Sequence, residues 1–415
     1  MIKKAVKTGR KLFLPFSLSF SRQRREKARR ATAVLLCTLL ILSLSSCWSR
    51  RELNTLAIVL GTGLDVGDQP DTLKLTAQVV KASAIGSGST AKAGGAGEKA
   101  YVNISYTDKS VLSVLRGITH MQSRRPYFSH NEVFIFSSDL AKRDMAEGLD
   151  AFARDYESRL HADLLISKGK ASDILQGEAA LEKIPARQIG DMMEDQEINS
   201  ETAVVTLRDF SIATLSGSKA PVAPMIEVYE SGGEKHIKLE DTAVFKGGKM
   251  IGELDKSQTR GLLWVTNQAK SGVKTLDTRW GQVVLEIFDS NSKLKPVKNG
   301  DGTIRMELTV NGDGTIESNE TNEDMSRLEN VEMLKGLMKE AIRADIENAL
   351  HQARTLSADV FGFGEAIHQE YPEEWEKMKE NWEREFPKIG LNVQVNVVLR
   401  STGSLTEPVV PGGGQ

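Results

Sequence analysis

"NEVFIFSSDLAKRDMAEGLDAFARDYESR" (Asn131–Arg159) changes its hydrophobic period in the middle. Residues 132–137 form a short apolar run of strand length. Residues 139–155 carry apolar side chains at three- and four-residue steps, so the stretch reads as a strand feeding a helix. Working outward, the same mixture recurs. Upstream, "RELNTLAIVLGTGLD" (51–65) and "LKLTAQVVKAS" (73–83) read as two strands joined by "DVGDQPDT" in a hairpin. Residues 86–99 are a Gly/Ala/Ser-rich loop. "YVNISYT" (101–107) reads as a strand, and residues 110–121 have helical period with Ser110 as cap. Downstream, residues 162–169 predict a strand and residues 170–177 a helical turn. These elements define a first α+β domain over residues 47–200.

Beyond it, residues 235–272 read as paired strands with a Gly-Gly turn at 247–248, the centre of a small strand-rich middle domain over 201–275. A C-terminal α+β domain over 276–403 follows. It contains antiparallel strands at 281–291 and 302–314. From Asn322, Met325, Leu328, Val331, Leu334, Met338, Ala341, Ile342, Ile346, Ala349 and Ala353 fall at helical steps, a long amphipathic helix. Pro372 opens a second helix with Trp375, Met378, Trp382 and Phe386 on one face, read as core packing. "LNVQVNVVLR" (391–400) alternates strictly and closes as a strand. Residues 404–415 are expected to form a disordered tail. The fold class expected is α+β and multidomain, with mixed or antiparallel sheets and packed helices.

The net charge of −2 hides an asymmetry. Residues 1–46 carry eleven Lys/Arg and one acid, which leaves residues 47–415 with 43 bases against 55 acids, a net of −12. An acidic body argues against nucleic acid as a partner, because phosphate contacts need clustered Lys/Arg. A basic segment over 1–30, followed by the uncharged "ATAVLLCTLLILSLSS" (31–46), is the pattern of a signal peptide, expected to be removed. Leu44-Ser45-Ser46-Cys47 has the form of a lipobox: an apolar residue, two small ones, then a cysteine. Cys47 is the expected lipidation site, an S-diacylglyceryl thioether with or without an N-acyl group such as palmitate. The two cysteines of the chain are Cys37 and Cys47. A mature chain starting at Cys47 therefore has no internal disulfide. These readings place the body outside the cytoplasm, tied to a lipid bilayer through Cys47.

"GTGLDVG" (61–67) lacks the third glycine of a dinucleotide loop, since Val66 stands there, and reads as part of the hairpin. "NGDGTI" occurs at 299–304 and 311–316. Neither copy has the position-6 glycine and position-12 acid of a calcium loop, and both read as turns. The six histidines, at 120, 130, 161, 236, 351 and 368, share no metal-like spacing. No catalytic constellation, metal site or cofactor is expected.

In "CWSRRELNTLAIVLGTGLD" (47–65) and "YFSHNEVFIFSSDLAKRDMAEGLDAFARDYESRLHADLLISKGKASDIL" (127–175) the chain resembles the Ger(x)C family of spore germination lipoproteins. The residues carrying the likeness are His130, Leu140, Ala141, Arg154, Asp155, Arg159, Lys168, Gly169, Ala171, Ile174 and Leu175. "DTAVFKGGKMIGEL" (241–254), "DVFGFGEAIHQEYPEEWEKMKENWEREFP" (359–387) and the closing "VQVNVVLRSTG" (393–403) extend it over nearly the whole mature chain. Ser46 and Ser49 depart from the glycine and the acid usual in the family. The resemblance implies the non-catalytic C subunit of a nutrient germinant receptor. Its partners would be a transporter-like and a multi-span membrane subunit on the outer face of the spore inner membrane. The alternative is an extracytoplasmic solute-binding or enzymatic lipoprotein.

Overall fold

The computed structural model describes residues 22–44, 55–81, 99–155, 157–177 and 182–401. The chain forms two compact units, Met1–Leu53 and Asn54–Gln415. In the first, the basic and apolar runs share helix α1 (Arg22–Leu44). No helix among the described residues is long and apolar enough to cross a membrane.

The second unit is built on two sheets. In the first, β1 (Leu56–Val66), β2 (Leu73–Val80) and β3 (Tyr101–Asp108) form an antiparallel meander. Helix α2 (Val111–Met121) follows, with the Ser110 hydroxyl capping it by accepting from the Ser113 amide. The short β4 (Arg125–Tyr127) and then β5 (Val133–Ser137) both lie parallel to β1. β6 (Asp163–Ser167) runs parallel to β5. With β7 (Val222–Ser231), β8 (Glu234–Lys246) and β9 (Lys249–Leu254), the sheet is mixed and has nine strands in the order β3-β2-β1-β5-β6-β7-β8-β9, with β4 set beside β1.

Its centre explains the apolar run of the opening stretch. Phe134 and Phe136 enter one core, where Phe152 sits 4.7 Å from Phe134 between ring centres. Val133 and Ile135 enter a second core on the other face, with Leu165, Ile174 and Ile189. A strand buried on both faces has no polar side to alternate with.

The helix expected over 139–155 is two helices, α3 (Ser138–Arg143) and α4 (Ala146–Arg154). The break is fixed from outside: the Met145 amide donates to the Gly248 carbonyl, and Asp144 Oδ1 accepts from the Ala146 amide at 2.7 Å. Helices α5 (Ala171–Gln176), α6 (Pro185–Glu194) and α7 (Leu207–Ser216) follow. Strands β7, β8 and β9 then extend the same sheet, because β6 pairs in parallel with β7 at Ile166↔Met225. Strands on either side of residue 200 thus share one sheet.

Residues 256–265, read as part of a strand-rich unit, are helix α8 (Lys256–Val265). Asp255 accepts from the Gln258 amide and Gln258 returns a bond to the Asp255 amide, a capping box that outweighs the β-branched residues around it.

The second sheet has the order β10-β11-β12-β13, from β10 (Gly272–Thr278), β11 (Gly281–Lys298), β12 (Ile304–Asn319) and β13 (Gly390–Ser401). The first "NGDGTI" is the β11–β12 turn, as expected. The second lies inside β12, with Asn311 opposite Asn291, so the turn expected there is absent. Its second glycine serves packing: a Cβ on Gly314 would come within 2.7 Å of the Glu286 carbonyl. The long helix is α9 (Leu328–Thr355), which buries Leu334, Met338, Ile342, Ile346, Ala349 and Ala353. Leu328, placed on that face by its spacing, is exposed at the first turn. α8 crosses α9 closely, and a Cβ on Gly261 would fall 2.0 Å from the Asp345 carbonyl oxygen. Helices α10 (Phe363–Glu370), α11 (Pro372–Met378) and α12 (Trp382–Glu385) lead into β13.

Candidate functional site

Cys47 lies outside the described residues, as do most of the 86–99 loop and the 404–415 tail. The body begins where β1 joins the sheet. Leu56, Ala57 and Ile58 pair in parallel with Arg125, Pro126 and Tyr127. Beside this join, Thr119 through Arg125 are all exposed, and Met121 is 56% accessible. Arg125 reaches the buried Glu157 at 3.3 Å, and the Glu157 carbonyl accepts from the Ser129 hydroxyl.

The segment 359–387 folds around one carboxylate. Asp359 Oδ1 accepts from the Gly362 and Phe363 amides at 2.9 and 3.1 Å. Its Oδ2 accepts from the Gly364 amide at 2.8 Å and from Trp382 Nε1 at 3.2 Å. Burial pushes the Asp359 carboxyl up to about 6, against the pull of these four donors. Phe361 and Phe363 stack at 5.3 Å, and Trp375 meets Trp382 edge-on at 5.2 Å. Trp375, Trp382 and Phe386 are buried, as the core reading of that stripe expects.

Two further buried aspartates do comparable work. Asp65, in β1, accepts from the Ala171 and Ser172 amides at the start of α5. Burial raises its carboxyl above the ordinary range although both amides oppose the shift. Asp345, inside α9, accepts from Ser257 of α8 and from Lys274 of β10, and lies 3.3 Å from Arg260. Sequence reasoning did not single out these three residues. An aspartate at the core positions of an apolar run was the available signal at Asp65 and Asp345. At Asp359 it was the following "VFGFG", whose glycine amides are open to a carboxylate.

Lys168, between β6 and α5, donates to Asp241 at 2.6 Å and to Glu240 at 3.1 Å. Partial burial lowers its pKa, but these two partners prevail and hold the ammonium above its usual range. A cavity of about 280 Å³ is lined by Glu132, Arg159, His161, Asp163, Arg187 and Glu194, among others. Burial, reinforced by Glu132 and Glu194, pushes Asp163 up to about 7 despite Arg159. A larger groove of about 740 Å³ runs along α7 beside Glu365 and His368. Among the described residues, no group of three or more His, Cys, Asp or Glu is placed to hold a metal ion.

Two family descriptions match the chain. "Spore germination protein N-terminal domain" covers residues 49–228, and "Spore germination B3/ GerAC like, C-terminal" covers residues 240–403. Among curated proteins of Bacillus subtilis (strain 168), spore germination protein KC is 27% identical over 92% of this chain and 98% of its own length. Spore germination protein YndF is 28% identical over 91% and 98%. Spore germination protein A3 is 24% identical over 90% and 98%. The crystal structure of the GerBC protein shares the fold with a TM-score of 0.54 at 16% identity, covering 83% of this chain and 99% of that one.

Proposed function

Because the chain belongs to the GerAC-like family of spore germination proteins over both its N-terminal and C-terminal regions, we propose that it is a non-catalytic, lipid-anchored subunit of a nutrient germinant receptor. The carrying observation is positional. The family match begins at Ser49, two residues after Cys47, so the basic and apolar run lies outside the matched region. Cys47 follows Leu44-Ser45-Ser46 directly, and two acyl chains on one cysteine anchor a body stably where one chain is marginal. In this reading residues 1–46 are cleaved. Cys47 carries the diacylglyceryl group, and the body sits on the extracytoplasmic face of the spore inner membrane beside a transporter-like and a multi-span subunit. Residues near 200 and 275 bound three segments of the body, the first two joined in one sheet through β6 and β7, with 404–415 as a tail.

The test is Cys47→Ala in sporulating cells. The expected result is an uncleaved precursor and a weakened germination response. Intact mass of the wild-type protein from spores should correspond to residues 47–415 plus the lipid. A free Cys47 thiol in mature protein would overturn the reading. Purification of the complex from spore membranes should bring down both membrane subunits.

A further inference from the structure

We propose that the exposed segment Thr119–Arg125, at the C-terminal end of α2, is the face by which the body rests on an anionic lipid surface. The inference builds on the reading of Cys47 as acylated. Its first support is where the chain joins the sheet. Leu56 is the direct Cα partner of Arg125, so the segment is adjacent to the first strand of the body. Nine residue steps separate Leu56 from Cys47, a reach of about 30 Å at full extension. A lipid on Cys47 thus keeps this end of the sheet near the headgroups.

Charge supplies the second support. From Lys109 to Asn131 the chain holds no acid, but it holds Lys109, Arg116, His120, Arg124, Arg125, and His130. This basic stretch stands in a body whose net charge is −12. Glu157, an acid in contact with the segment, is taken up by Arg125. On α4, which packs against α2, Arg154 pairs with Asp150, and Glu147 accepts from the Val111 amide at the opposite, N-terminal end of α2. Arg116 and Arg124 are exposed. Met121 adds an exposed apolar side chain among the cations, the combination that binds the interface of an anionic leaflet.

The sequence provides its own probe. Cys37 precedes the cleavage site and Cys47 is blocked by lipid, so Met121→Cys creates a single labelable thiol in the mature lipoprotein. The purified, lipidated protein is reconstituted into phosphatidylcholine vesicles with or without 30% phosphatidylglycerol, both containing nitroxide headgroup lipids. A fluorophore at position 121 should be quenched in the anionic vesicles, and the quenching should fall at 1 M salt. Adding Arg116→Gln and Arg124→Gln should shift the contact equilibrium about thirtyfold and return emission to the level in phosphatidylcholine alone. Mass spectrometry of the same sample reports the acyl group, and melting temperature reports the fold. Acylated, folded protein whose probe is unquenched in anionic vesicles overturns the face while leaving the anchor intact. An unacylated Cys47 overturns both. Shielding of the probe by co-reconstituted membrane subunits in place of lipid assigns the face to protein and also overturns it.

Discussion

Trp382 donates its indole N–H to Asp359 Oδ2 at 3.2 Å, across 23 residues of chain. That bond closes the segment over Phe361, Phe363 and Trp375, and it ties α12 to the turn after α9. Trp382→Ala removes a buried indole and a donor together, and should cost about 3–5 kcal/mol. Trp382→Phe keeps most of the volume but leaves the carboxylate one donor short, and should cost about 1–3 kcal/mol. Urea unfolding of the body would show both. A midpoint unchanged in Trp382→Ala would mean that the side chain faces a partner.

Asp163 and Asp359 make stability depend on pH in a direction opposite to most carboxylates. Burial raises both, to about 7 and about 6, from an unfolded value near 3.9. Between those limits the folded state binds more protons than the unfolded state, so stability falls as pH rises from about 4 to about 7 and is flat above. Each pH unit in the window is worth about 1.4 kcal/mol at most for one such group. Glu240, Glu332 and Glu374 are held below the usual range by lysine partners and act at lower pH with the opposite sign. The body should therefore be most stable near pH 4. Asp163→Asn should flatten the fall between about pH 4 and about pH 7, measured by denaturant midpoints at several pH values.

Gly261 and Gly336 lie on helices that cross, yet they should respond oppositely to alanine. At Gly261 a Cβ would meet the Asp345 carbonyl at 2.0 Å, whereas at Gly336 nothing lies within 4 Å. Gly261→Ala should force the helices apart and cost about 1–3 kcal/mol or more. Gly336→Ala should stabilise the body by about 0.5–1 kcal/mol, because it removes unfolded-chain freedom. Thermal melts of the two variants provide the check.

What could be read from the chain was what local periodicity controls. The alternation over 391–400 yielded β13, the steps from Leu334 to Ala353 yielded the buried face of α9, and Ser110 capped α2. The failures arose where a distant partner decides. The break at Asp144–Met145 needs the Gly248 carbonyl, which belongs to the β8–β9 hairpin. The second "NGDGTI" has the composition of a turn, but it is held straight by β11 on one side and β13 on the other. Residues 256–265 carry a capping box at Asp255 and Gln258 that was there to be read. Asp65, Asp345 and Asp359 take their meaning from amides and cations brought to them by the fold; their place in apolar or glycine-rich runs marks them, but not which partners they meet.

Asp345 is the residue where that dependence is greatest. Its carboxylate is buried inside α9 and receives Lys274 Nζ at 3.0 Å, the Ser257 hydroxyl at 2.8 Å, and the nearby Arg260 guanidinium. Helix α8, through Ser257 and Arg260, and strand β10, through Lys274, thus converge on a single charge. Neutralising it strands two cations that are themselves mostly covered, so Asp345→Ala should cost about 3–5 kcal/mol. Lys274→Met alone leaves Arg260 to balance the carboxylate and should cost less. The double variant Asp345→Leu with Lys274→Met restores charge balance in part and should recover stability relative to Asp345→Ala. The coupling between the two sites, read from a double-mutant cycle of Asp345→Ala and Lys274→Met by urea unfolding, should be at least about 1 kcal/mol. Additive effects would instead mean that Asp345 acts through α8 alone, by way of Ser257 and Arg260.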